Sequence, residues 1–63
     1  MKVREALLDE RIADNTTVVI KDFSGTPLVC GRWYQDKILS WGNFEATFDF
    51  VEGRNIAVLQ LVV

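Results

Sequence analysis

From Ile56 to Val63 the chain reads Ile-Ala-Val-Leu-Gln-Leu-Val-Val, and only Gln60 is polar. Alternation along a strand sends Ile56, Val58 and Val62 to one face and Ala57, Leu59, Leu61 and Val63 to the other. Such a strand has no side to leave in water. It belongs at the centre of a sheet, under a helix, or against another subunit.

The preceding segments supply the rest of that sheet. Phe44, Ala46, Phe48 and Phe50 alternate with Glu45, Thr47 and Asp49, the pattern of a strand with one wet face. Glu52-Gly53-Arg54-Asn55 then turns the chain into the final strand, making a hairpin. Upstream, Thr17 to Phe23 is dense in β-branched residues, Ser24-Gly25-Thr26-Pro27 is turn chemistry, and Leu28 to Trp33 resumes an extended pattern. This makes a second hairpin, in which Gly31 marks a bulge or a close packing contact. Residues 2–12 contain good helix formers and no Gly or Pro. Val3, Ala6, Leu7, Leu8 and Ile12 form the apolar face of a helix expected to end near Ala13. Between the hairpins, Asp36 is placed to cap a short helix with Ile38, Leu39 and Trp41 facing inward and Gly42 at its C-terminal end. The order α-β-β-α-β-β predicts one α+β domain over residues 1–63, with a mostly antiparallel four-stranded sheet. There is no internal repeat, low-complexity segment or linker.

A domain of 63 residues is near the lower limit of independent folding. Ordering it costs on the order of 95 kcal/mol, and burying roughly 3,800 Å² of apolar surface at about 25 cal/mol/Å² returns about the same. The lone cysteine, Cys30, forms no internal disulfide, and without histidine a conventional zinc site is out of reach. A dense core or a partner subunit remains, and at 49% hydrophobic the chain is too apolar to be disordered. The two-faced strand makes a homodimer through Ile56 to Val63 one expectation.

The same residue inventory removes most chemistry. Lacking histidine, the chain has no imidazole base, Ser-His pair or Cys-His pair. Cys30, between Val29 and Gly31 in a strand, reads as a small buried hydrophobe rather than a reactive thiol. Asp9 with Glu10 and Asp49 with Glu52 read as solvated charge, since paired catalytic carboxylates need a cleft to separate their pKa values. The four glycines form no phosphate-binding loop. The expectation is a non-enzyme without metal or cofactor. Lys2, Arg4, Arg11, Lys21, Arg32, Lys37 and Arg54 are scattered, net charge is −2, and nothing supports non-specific nucleic-acid binding. No apolar run approaches the ~20 residues of a membrane span, no signal-peptide core follows Met1, and one cysteine fits a reducing compartment. A cytoplasmic protein is expected.

Trp33, Tyr34 and Trp41 stand out, two tryptophans being many for this length. On a structural reading they cap the open end of the sheet. On a functional one, Arg32, Trp33, Tyr34 and Trp41 form a protein-binding anchor, since Trp, Tyr and Arg dominate interaction hot spots.

The order of these elements, with Val-Arg-Glu-Ala-Leu-Leu, Thr-Val-Val-Ile-Lys-Asp, Val-Cys-Gly-Arg-Trp and the closing Ile-Ala-Val-Leu-Gln-Leu, resembles small uncharacterised accessory proteins of phages and mobile elements in Firmicutes. The resemblance covers nearly the whole chain as a pattern and implies an accessory or host-interaction role, with no functional residues to carry over. The reading is a non-enzymatic protein-interaction module, one form being an inhibitor of a host defence protein. The alternative is a small nucleic-acid-binding module using the sheet face or the aromatic group.

Overall fold

In the computed structural model, which describes residues 1–62, the elements are α1 (Val3–Ala6), β1 (Thr17–Lys21), β2 (Pro27–Gly31), α2 (Asp36–Leu39), β3 (Ala46–Val51), a 3₁₀ turn (Glu52–Arg54) and β4 (Ile56–Leu61). The fold is α+β. Val63, the last residue of the strand expected from sequence, lies outside the described residues.

The strands form one sheet in the order β2-β1-β4-β3. Each hairpin is antiparallel, and the two join through a parallel β1–β4 pair from Thr17↔Ile56 to Lys21↔Gln60. The segment from β2 through α2 to β3 is what permits this, because a parallel neighbour needs a crossover rather than a tight turn. β4 lies at the centre, as its apolar residues demand. One extra residue, Leu28, breaks the β1–β2 register between Ile20↔Val29 and Lys21↔Pro27. Gly31 is the close contact, not the bulge: a Cβ there would lie 2.3 Å from Gln35 Oε1 and 2.7 Å from Lys37 Cε.

Period-two alternation and the pairing register divide the sheet. Val18, Ile20, Ala57, Leu59 and Ala46 share one face and are buried beneath Val3, Ala6, Leu7 and Ile38. Phe48, Phe50 and Leu61 extend this face and pack, half-buried, against the core. One buried polar side chain braces it. Thr16 Oγ1 donates to Asn55 Oδ1 (2.8 Å) and accepts from the Ala13 amide (2.9 Å). Asn55 takes the left-handed conformation that ends the 3₁₀ turn, with φ of 53°.

The N-terminal helix is much shorter than its sequence suggests. Beyond Ala6 the Leu8 and Asp9 amides bond to the carbonyls of Glu5 and Ala6, three residues back. The Asp9 carboxylate then takes both the backbone amide and the guanidinium of Arg11, a local alternative to helical bonding. The chain unwinds through turns to β1, leaving Leu8 82% exposed instead of inward, while Ile12 still reaches the core. In α2, Asp36 is the first helical residue and Gln35 the cap, its side chain bound to the Arg32 amide at 2.8 Å. Ile38 is buried and Trp41 half-buried, but Leu39 points outward.

Candidate interaction surfaces

Among the described residues, no helix lies over the second face of the sheet. Thr17, Val19 and Lys21 of β1, Cys30 of β2, Ile56, Val58 and Gln60 of β4, and Thr47, Asp49 and Val51 of β3 share it by register. None of them is buried. Val19 and Val58 are direct partners at its centre, with Cys30 beside Val19 and Ile56 one step along β4. At one end the Gln60 amide donates to the Phe23 carbonyl (3.0 Å), beside an open depression lined by Phe23, Thr47, Gln60, Leu61 and Val62.

Charge divides this face. Lys21 stands on β1, and the guanidinium of Arg32 donates to Thr17 Oγ1 at 2.8 Å, so both cations lie on the β1–β2 half. Asp49, and Glu45 just before β3, lie on the opposite half. The exposure of Cys30 corrects the reading of a buried thiol. Its partner Val19 faces away from both helices, and β2 is an edge strand, so neither core nor neighbour covers the sulfur.

The aromatic residues fall into two separate pairs. Trp33 meets Tyr34 edge-on, with centroids 5.7 Å apart and planes at 89°. Its indole N–H donates to Asp14 Oδ1 (3.0 Å), fixing the ring against the exit of the N-terminal segment. Tyr34 is 51% exposed. Trp41 packs half-buried on the core and against Phe44, with centroids 5.1 Å apart. Of the four residues singled out from sequence, Arg32, Trp33 and Tyr34 thus stay together at the end of β2, while Trp41 sits with Phe44.

Two further arrangements carry local polarisation. The Arg11 guanidinium lies over the rings of Phe48 (5.1 Å) and Phe50 (5.6 Å). Bonds from the Arg11 side chain and amide hold the Asp9 carboxyl below its ordinary range, and that carboxylate in turn raises the Arg11 pKa. In the β1–β2 turn, Asp22 Oδ1 accepts from the Ser24 hydroxyl (2.7 Å), the Thr26 amide and the Ser24 amide (2.9 Å each), which lowers its pKa. Gly25, with φ of 91°, supplies the left-handed residue that closes this turn. Among the described residues no three carboxylate or thiol groups converge as metal ligands. No helix among the described residues is long and apolar enough to cross a membrane.

The sequence points to β4 and the aromatic group. The β1 contribution to the open face escapes it, although the Thr17-Val18-Val19-Ile20 run, apolar at successive positions, carries the same two-faced signal as β4. Comparison with protein-family models, curated proteins and solved structures finds no match for the chain.

Proposed function

We propose that the chain is a non-enzymatic protein-interaction module that docks through the uncovered face of its sheet, and that the occupant is the same face of a second copy. The observation that carries this is the central Val19–Val58 pair, apolar and without a covering layer, on a face with cations on one half and carboxylates on the other. A two-fold axis along the strands sets β1 over β4 and β2 over β3 of the partner, and each basic half then meets an acidic half. Isologous contacts are self-complementary in this way, and aligned packing is a standard way for two sheets to share a core. Strands about 4.8 Å apart and some five residues long present roughly 300 Å² in projection, which places the contact at the small, exchanging end of protein interfaces. An accessory or host-interaction role, including occupation of a host defence protein's surface, is one that such a module can fill.

Sedimentation equilibrium tests the reading. The native chain is expected to show a monomer–dimer equilibrium, and Cys30→Glu, which in this pairing sets a carboxylate over the partner copy's acidic half at Asp49, to remain folded and monomeric. Val19→Lys, at the centre of the face, is the second variant. A monomer mass up to about 1 mM, the weak limit of specific association, overturns the proposal. So does association that both variants leave intact.

A further inference from the structure

The two edges of the sheet differ in what they leave unpaired. On β2, Pro27 has no N–H to offer, Leu28 bulges out of register, and the Gln35 and Lys37 side chains crowd Gly31. β3 carries none of these features and pairs with β4 in unbroken register over six residues.

Which backbone groups of β3 face outward follows from one hydrogen bond. The Val62 amide donates to the Glu45 carbonyl (2.9 Å), making Glu45–Val62 a hydrogen-bonded pair. In an antiparallel ladder such pairs alternate with non-bonded ones. Thr47, Asp49 and Val51 therefore bond to β4, while Ala46, Phe48 and Phe50 aim both N–H and C=O away from it. Met1 uses the first set: its carbonyl accepts from the Ala46 amide (2.7 Å), and its ammonium donates to the Ala46 carbonyl (3.3 Å). Met1 and Lys2 thus run antiparallel to the start of β3, with Lys2 bridging Glu45 outside the four strands. Among the described residues, Phe48 and Phe50 have no such outer partner.

We infer that the outer edge of β3 at Phe48–Phe50 binds an extended strand of another polypeptide, by continuing the ladder that Met1 begins, with a lysine or arginine of that strand opposite Asp49. Strand addition matches the spacing of the four free groups, supplying two donors and two acceptors on alternate residues. The middle residue of the added strand falls beside Asp49, at the non-bonded position where facing side chains come closest. Its two neighbours lie on the face of Phe48 and Phe50, whose rings Arg11 covers from above, so apolar side chains there extend an existing strip.

The charge at Asp49 argues against a second copy at this edge. Self-pairing that uses both phenylalanines sets residue 48 against residue 50 of the other chain, and Asp49 against itself. Like charges directly opposite each other destabilise a sheet. Shifting by two residues in one direction meets Ala46, already bound by Met1, and in the other meets Glu52, where the strand ends. The edge's free backbone groups take no part in contact between open faces, but Asp49 belongs to that face too, so the test includes a variant without face-to-face association.

The test uses three acetylated and amidated peptides. The first is Thr-Val-Lys-Val-Thr, the second has Glu in place of Lys, and the third has both valine nitrogens methylated. Each is titrated into the ¹⁵N-labelled native chain and into Cys30→Glu, so that loss of face-to-face association leaves the experiment intact. Expected is slowed amide exchange at Phe48 and Phe50 with the lysine peptide. The glutamate peptide should bind about tenfold more weakly, the attractive pair with Asp49 being replaced by a repulsive one, and the methylated peptide should give no protection. Asp49→Lys should invert the Lys/Glu preference. Unchanged exchange at Phe48 and Phe50 at saturating lysine peptide overturns the inference, as does equal protection by the lysine and methylated peptides.

Discussion

The two faces of this sheet are built from the same kinds of residue and meet different fates. On one, Ile20, Leu59 and Val18 are fully buried beneath α1 and α2. On the other, Val19 and Val58, one position along the same strands, remain partly open. The difference lies in the supply of covering elements. Two single-turn helices and the turns around them can roof only one side of four strands. They complete one layer of core and leave the residues of the second face partly or fully exposed. On the proposed reading, stability and recognition fall on opposite faces, with β4 serving both.

Substitutions on β4 separate those roles most sharply. Leu59→Ala removes a fully buried side chain and should cost about 2–5 kcal/mol, most or all of the stability of a domain this size. Its neighbour across the sheet, Val58→Ala, should cost about 1 kcal/mol or less, because the side chain is already partly solvated. Urea unfolding of the two variants at one low concentration measures the contrast. Equal losses would mean that the second face is as structural as the first.

A smaller effect is expected where the covered face is pinned to the loops. Thr16→Val keeps the shape but strips the hydroxyl, leaving the Ala13 amide and Asn55 Oδ1 without that partner. The expected loss is about 1–3 kcal/mol, the usual range for stranding a buried polar group. Asn55→Gly, which tolerates the same left-handed backbone, should lose less than Thr16→Val. The reverse order would place the strain at Asn55 rather than the missing bond at Thr16.

Much of this division is readable from residue order, and the unreadable parts have physical causes. Both hairpins follow from β-branched runs and from the Phe48–Asp49–Phe50 alternation, and the central place of β4 follows from its two apolar faces. The overextended helix does not, because residues 2–12 carry helical periodicity throughout. What ends it is Asp9, whose carboxylate captures the Arg11 amide, a competition that periodicity does not register. The exposure of Cys30 depends on which face the helices choose, and local pattern is silent on that. The free groups of Phe48 and Phe50 depend on a register set by Val62 and Glu45, seventeen residues apart in the chain. Arg32, Trp33 and Tyr34 are adjacent in sequence and remain so in space, whereas the separation of Trp41 from them arises only when α2 turns it toward Phe44.

The smallest expected effect belongs to the β1–β2 turn, which lies on neither face. The Asp22 carboxylate gathers the Ser24 hydroxyl and two backbone amides, and these bonds favour its ionised form. Its pKa in the folded chain is lowered from 3.8. The stabilisation is therefore complete above the unfolded value and disappears as pH falls through the folded one. Asp22→Asn retains an acceptor oxygen and removes the charge. The native chain should melt higher than this variant at pH 7, and the gap should narrow progressively below about pH 4. Asp9, shifted in the same direction by Arg11, contributes to acid sensitivity in both proteins and cancels in the difference. Melting curves across that range decide the point. A gap that stays constant from pH 7 to below the folded pKa would assign the turn's stability to shape and Gly25, with no part for the Asp22 charge.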